Sequence, residues 1–131
     1  MKRLDSLSKR DLLASAKFDP NALREYAEDY FAQERFGEAF EFFQKIGDKE
    51  GVRRVKGKAI ESADPELLWR IEHADSAAVT REDWTTCGDN AMRLAKHRSA
   101  EFVFKRIGDA DKLAAAEKEF APAPQAEAAK P

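Results

Sequence analysis

The chain has 131 residues, a formal net charge of −2, and 37% charged and 43% hydrophobic residues. This length fits one domain with a modest core, and the charge argues against general nucleic-acid binding, which needs a basic surface. A single cysteine, Cys87, excludes an intrachain disulfide and a multi-cysteine zinc site. No run approaches the roughly 18 apolar residues of a membrane span, and no signal-peptide core follows the basic N-terminus, so a cytoplasmic location is expected.

Helix signals follow one another along the first part of the chain. Apolar residues at helical spacing predict a short helix over 8–17. Asp19 and Pro20, an N-cap acid followed by a proline at the first helical position, start a second helix that extends to about Glu34. After a break in the apolar phase, a third helix ends at Gly47, which is typical of the residue that follows a helix C-terminus.

The same kind of signal continues beyond Gly47. Asp48 caps a helix that contains Gly51 and Gly57, and each glycine weakens that helix by roughly 1 kcal/mol unless close packing requires it. No stretch alternates with period two, so an all-α fold is expected. The remaining predicted features are helices that begin after Asp64, Thr80 and Asp109, a helix over about 98–107, and a linker at 74–79.

Two segments of the chain resemble each other at an offset of 61 residues. FGEAFEFFQKIGD, residues 36–48, returns as HRSAEFVFKRIGD, residues 97–109. Upstream similarity extends the two copies to about 19–48 and 80–109. A fixed offset with the same apolar spacing indicates a helical repeat architecture.

The pattern is similar to the tetratricopeptide repeat, whose first helix carries W-x2-L-G-x2-Y and whose second helix carries A-x3-F. The matching residues are Trp84, Gly88, Ala100 and Phe104 in the second copy, and Tyr30, Ala39 and Phe43 in the first. The intervening helix pair, 48–73, matches this signature poorly. The resemblance implies an all-α, right-handed α-solenoid of antiparallel helical hairpins with about seven or eight helices, in a single domain over 1–120.

The shared positions have expected roles in packing. A small residue on the first helix, Ala27 or Gly88, would let the second helix approach closely, and a small residue on the second helix would do the same in return. The aromatic residue Phe43 or Phe104 would then fill the gap towards the next helix. These roles are steric and predict no chemistry.

If the helices stack as in the resembled family, the first helix of each hairpin lines a groove. The groove candidates are Arg24, Glu28, Phe31, Asp89, Met92 and Arg93. The family's carboxylate clamp for chaperone tails needs Lys and Asn where this chain has Arg24 and Glu28, so that specificity is not expected. The resemblance implies a non-enzymatic scaffold or interaction module that binds a partner peptide or helix without a cofactor or metal.

The first copy is more apolar than the second. Phe40 and Phe42 correspond to Glu101 and Val103 in the second copy. Solenoids expose apolar surface on the concave face or at an uncapped end, so Phe40 and Phe42 are candidate exposed anchors for a partner. The alternative is that these phenylalanines form core between the hairpins.

Other functions stay open at this point. A short solenoid has ends that need capping, so self-assembly as a homo-oligomer or as a subunit of a larger complex is an alternative. The basic segments 49–58 and 93–106 leave a nucleic-acid-binding adaptor open. Cys87 with His97 could form a nucleophilic pair, but Cys87 lies on the apolar stripe, so a buried thiol and no enzyme are expected. The Ala- and Pro-rich segment 121–131 is predicted to be a disordered tail.

Overall fold

The computed structural model describes residues 6–120, and within them the chain forms eight α-helices and no strand. The helices are α1 (Ser6–Ala14), α2 (Pro20–Ala32), α3 (Phe36–Lys45), α4 (Lys49–Glu61), α5 (Pro65–Ala74), α6 (Arg81–Arg93), α7 (His97–Ile107) and α8 (Ala110–Phe120), with a 3₁₀ turn at Ser76–Ala78. The all-α prediction is therefore confirmed for this part of the chain. The tail predicted over 121–131 lies outside the described residues.

Five of the predicted helix starts are confirmed by their caps. At Thr80, the hydroxyl accepts the Asp83 N–H while the Asp83 carboxylate accepts the Thr80 N–H, which completes a capping box. Each such bond satisfies a first-turn N–H that has no partner within its helix. In four other helices an aspartate carboxylate accepts a backbone N–H of the first turn: Asp19, Asp48, Asp64 and Asp109.

Three pairs of consecutive helices, α2–α3, α4–α5 and α6–α7, are joined by loops of equal length and geometry. The middle loop residue is left-handed in each, with φ of 61° at Glu34, 54° at Ala63 and 56° at Ala95. The next N–H bonds to the carbonyl five residues earlier in every case, which is a Schellman-type helix end. Such short loops make the paired helices antiparallel neighbours. The segment 48–73, despite its poor match in sequence, forms the same hairpin as the two copies.

The 61-residue offset spans two hairpins. The first helices of successive pairs, and then α8, are capped at Asp19, Asp48, Thr80 and Asp109, which are 29, 32 and 29 residues apart. The 32-residue interval, from Asp48 to Thr80, contains the 3₁₀ turn Ser76–Ala78 between α5 and α6. The turn therefore accounts for the irregular period.

Replacing the exposed Ala95 by glycine is expected to raise the free energy of unfolding by about 1 kcal/mol, because a side chain in the left-handed region is strained. Urea denaturation followed by circular dichroism measures the change. The matched control is Ala115→Gly, an exposed site inside α8 where the same substitution should cost about 1 kcal/mol. An equal loss of stability in Ala95→Gly and Ala115→Gly would contradict the left-handed conformation of Ala95.

The packing roles expected of the shared positions are confirmed. A Cβ atom at Gly88 would lie 2.5 Å from Cε1 of Phe104 and 2.9 Å from Val103, so α6 and α7 meet where only glycine fits. The Phe43 ring lies against Gly51 at the start of α4 and fills the gap to that helix. Ala27, like the small residues of the second helices, is completely buried.

Polar contacts join the second hairpin to the third. Lys56 on α4 donates to the Asp83 carboxylate over 3.0 Å. Asn90 on α6 donates to a carbonyl near the end of α4 over 2.8 Å, and Lys96 donates to the Ser62 carbonyl over 2.7 Å. Burial opposes ionisation of Asp83, but hydrogen bonds from the Thr80 N–H and from Lys56 outweigh it, so the pKa of this carboxyl is lowered. These contacts place α6 beside α4.

Candidate partner-binding surfaces

The groove candidates on α2 contact α4. Arg54 donates to the Glu28 carboxylate over 2.7 Å, and its guanidinium lies 4.3 Å from the centre of the Phe31 ring. The hydrogen bond with Glu28 is the main cause that raises the pKa of Arg54, so its guanidinium stays charged. Arg24 lies 3.4 Å from the Asp48 carboxylate. The three candidates therefore hold α2 against the next hairpin.

The candidates on α6 have an analogous arrangement. Asp89, which occupies the position of Glu28 in the second copy, accepts a 2.6 Å hydrogen bond from Lys112 on α8. Met92 is half-buried against the core, and Arg93 is exposed. In both copies an acid on the first helix of the hairpin thus pairs with a base on the helix that follows the hairpin. The contacts of the two groups run to different helices, α4 and α8, and do not form one binding site.

The prediction that Phe40 and Phe42 are exposed anchors is wrong. Phe42 is 0% exposed, and its ring packs 5.8 Å from Tyr26 and 5.7 Å from Tyr30 between ring centres. Phe40 is 6% exposed and lies beneath the guanidinium of Arg70, 5.6 Å from the ring centre. Phe42 is therefore covered by α2 and Phe40 by Arg70 of α5, so the core alternative is correct.

A different aromatic pair is exposed, on the face formed by α5 and α7. Trp69 is 42% exposed and Phe102 is 45% exposed. Trp69 stacks on His73 one turn later, at 5.0 Å between ring centres. We call this surface the α5/α7 patch. It contains a depression of about 480 Å³ that is lined by Pro65, Glu66, Trp69, Arg98, Ser99 and Phe102.

Buried and ionic contacts beneath the patch fix its geometry. Glu72 on α5 accepts a 2.9 Å hydrogen bond from the indole N–H of Trp84 and also pairs with Arg106 on α7. The Arg106 guanidinium lies 4.9 Å from the Trp84 ring, and the Phe102 ring lies 6.4 Å from it. α5 and α7 are thereby tied through α6. Phe102 therefore packs on side chains that join α5 to α7 through α6.

Comparison of the two copies contains a signal for this patch. Phe102 corresponds to Glu41 in the first copy, where the carboxylate lies 3.6 Å from Arg70 and 3.3 Å from Lys9. An ion-paired acid usually lies at the surface. The aromatic residue at the corresponding position of the second copy is therefore expected to face solvent. Trp69 lies out of phase with the buried stripe of α5, which is a second sign of exposure.

Most bases of the segment 49–58 are paired with acids, whereas Arg106 is the base with such a partner among the lysines and arginines of 93–106. Within 49–58, the ion pairs are Arg53 with Glu50, Arg54 with Glu28, Lys56 with Asp83 and Lys58 with Glu61. In 93–106, Arg106 pairs with Glu72, and Lys96 donates to carbonyls at the end of α4. A phosphate backbone would have to compete with these acids at the segment 49–58.

The residues considered for catalysis do not form a reactive set. Cys87 is completely buried, and burial is the main cause that raises the pKa of its thiol to about 11, so it is protonated at neutral pH. His97 pairs with Glu101 through Nε2, and its ring meets the Phe120 ring edge-on at 4.9 Å. His73 stacks on Trp69. Among the described residues, no hydrogen bond joins either imidazole to the Cys87 thiol.

Within residues 6–120, none of the helices combines the length and apolar character needed to cross a membrane. In the same part of the chain, no three His, Cys, Asp or Glu side chains lie together as a group that could hold a metal ion. No protein-family model, no curated protein and no solved structure matches this chain.

Proposed function

We propose that the chain is a non-enzymatic interaction module that binds a partner peptide or helix at the α5/α7 patch. The observation that carries the proposal is the side-by-side exposure of Trp69 and Phe102 on adjacent helices. Large aromatic residues dominate binding energy at protein interfaces because they bury much apolar area with few rotatable bonds. An exposed aromatic cluster with a polar rim is typical of an interaction site.

We also propose that the hairpins form a small α-solenoid similar to the tetratricopeptide repeat. The equal loops of the three hairpins support this arrangement, as do the contacts of α4 with α6 and of α5 with α7. In such a stack each hairpin buries its apolar face against the next one. The patch then lies on the surface made by the second helices of successive hairpins.

The patch is a better partner site than the predicted groove. Glu28 and Asp89 already form ion pairs with Arg54 and Lys112, and the Arg54 guanidinium lies over the Phe31 ring. A ligand in the groove would have to break these contacts before it gained its own. Trp69 and Phe102 offer apolar surface that is already exposed to water.

Selection of a random peptide library on the immobilised chain tests the proposal. Trp69→Ala and Phe102→Ala are expected to lower the affinity for the selected peptides by about tenfold or more, which is the range of interface hot spots. Both side chains are exposed, so the melting temperature should change little. Arg53→Ala is the control, because its ion pair with Glu50 is exposed and lies within α4. A selection with no enriched peptide, or with peptides that bind the Trp69 variant equally well, would overturn the proposal.

A further inference from the structure

We infer that the partner of the α5/α7 patch is the same patch on a second copy of this chain, so that two copies form a symmetric dimer. This inference rests on the proposed function, since it names the partner that the same surface takes. Three observations carry it: the parallel course of α5 and α7, the opposite charges at the starts of these helices, and the exposed aromatic residue one turn further along each helix.

α5 and α7 run side by side in the same direction. The first two turns of both helices line the depression of the patch. Further along, Glu72 of α5 pairs with Arg106 of α7. Because the helices are neighbours at both levels, they are parallel and begin at the same level. A two-fold axis that lies between two copies and follows the helices therefore sets α5 of each copy against α7 of the other, start beside start.

The two helices carry opposite charges at equal positions. Glu66 is the second residue of α5, and Arg98 is the second residue of α7. Both residues are exposed and line the depression, and within residues 6–120 neither side chain has an ion-pair or hydrogen-bond partner. In the two-fold dimer, Glu66 of each copy faces Arg98 of the other, which gives two equivalent ion pairs.

The exposed aromatic residues follow the charges by one helical turn. Trp69 lies three residues after Glu66, and Phe102 lies four residues after Arg98. At these spacings each aromatic side chain stands on the same helix face as the charge before it. The axis that joins the charges therefore also sets Trp69 of each copy against Phe102 of the other. The four rings lose their exposure to water together, in a cluster beside the two ion pairs.

The match of the patch with itself is the reason to name a second copy as the partner. A two-fold interface brings one surface against an identical surface, so every group on it must find its complement on the same surface. An acid facing a base and an indole facing a phenyl ring meet this requirement in a single orientation. A patch with one sign of charge would repel its own copy.

The dimer is expected to be weak, because the patch is small. Six residues line its depression, whereas a standard interface has roughly 20–30 residues on each side. We therefore expect a dissociation constant of about 10 µM or weaker. At lower concentrations the patch is free, and a peptide that binds there competes with the second copy.

The test exchanges the two charges and follows assembly by sedimentation velocity from about 1 µM to about 1 mM. The unaltered chain should dimerise as its concentration rises. Glu66→Arg and Arg98→Glu should each stay monomeric, because each variant sets like charges against one another. An equimolar mixture of these two variants should dimerise, since every facing pair then has opposite charges. The double variant Glu66→Arg/Arg98→Glu should dimerise for the same reason.

Arg53→Glu is the matched control, because it makes the same change of charge as Arg98→Glu on the exposed surface of α4, outside the patch. This variant should dimerise as the unaltered chain does. The melting temperatures of the single variants should stay near that of the unaltered chain, since Glu66 and Arg98 have no internal partner among the described residues.

An unaltered chain that stays monomeric up to about 1 mM would overturn the inference. If Trp69→Ala still lowers the affinity for the selected peptides in that case, the proposed function stands and only the choice of partner fails. Dimers that persist in both single variants, or single variants that do not associate when mixed, would overturn the inference as well. Association restored by mixing, and lost when Trp69→Ala is added to both variants, would support it.

Discussion

Replacement of Phe42 by alanine is expected to lower the free energy of unfolding by about 3–5 kcal/mol, the largest effect at any site considered in this chain. Phe42 is 0% exposed and packs between α3 and α2 against Tyr26 and Tyr30. Removing the ring loses its transfer free energy and leaves a cavity between two helices that cannot fully collapse. Urea denaturation followed by circular dichroism at 222 nm measures the change.

Phe102→Ala is the matched control for this prediction, because it removes the same ring from the exposed patch. Phe102 is 45% exposed, so we expect its loss to change stability by about 0.5 kcal/mol or less. Phe42→Ala should therefore lower stability and leave peptide binding to the folded chain unchanged. Phe102→Ala should leave stability nearly unchanged and weaken peptide binding. A large loss for Phe102→Ala would mean that this ring is part of the core, and it would remove the basis of the patch.

Replacement of Gly51 by alanine is expected to lower stability by about 1–2 kcal/mol, although alanine is the better helix former. A Cβ atom at this position would lie 2.5 Å from Cγ and 2.6 Å from Cε1 of Phe43. Phe43 is fully buried, so its ring cannot move without disturbing the packing of α3 on α4. Overpacking costs about 1–3 kcal/mol, and the gain in helix propensity of about 1 kcal/mol offsets only part of it.

Gly57→Ala, in the same helix, should have the opposite effect. A Cβ atom at Gly57 meets nothing within 4 Å, and the residue is exposed. The substitution should therefore raise stability by about 1 kcal/mol through helix propensity alone. Thermal and urea denaturation of the two variants provides the comparison. A stabilising Gly51→Ala would show that Phe43 does not fill the space between these helices.

Local signals predicted the helices well because they act over a few residues. Asp19 and Pro20 start α2, and Asp48 and Thr80 start α4 and α6, because a side-chain oxygen reaches first-turn N–H groups of its own helix. The predicted first helix, 8–17, is found at Ser6–Ala14, so both of its ends differ from the prediction. Its weak amphipathic pattern carries little information about where it begins and stops.

The hairpin at 48–73 could not be recognised from the repeat signature. Its loop has Ala63 in the left-handed conformation, where glycine or asparagine would be the usual sign of a helix end. Glu34 and Ala95 adopt the same conformation in the other two loops. The packing of the paired helices imposes this geometry and offsets its strain, so it leaves no clear mark in the sequence.

Which aromatic side chains are exposed in the candidate site depends on which helix faces the neighbouring hairpins cover. Differences between the two copies pointed to the first hairpin as the exposed one, but Phe40 and Phe42 are buried there, whereas Phe102 in the second copy is exposed. On α3, the neighbours α1 and α5 reach Glu41 through Lys9 and Arg70, and Arg70 covers Phe40. The corresponding slot on α7 carries Phe102, on the face that remains open.

The sequence by itself determined the helices, their caps and the small residues at which paired helices meet, since these follow from local hydrogen bonding and side-chain size. Gly88 is an example, because only its lack of a side chain lets Phe104 approach α6. The tertiary structure alone decided that Glu28 and Asp89 serve as ties between helices and that Trp69 and Phe102 face solvent. The physical reason is that burial depends on contacts between residues far apart in the chain, which a local pattern indicates only in part.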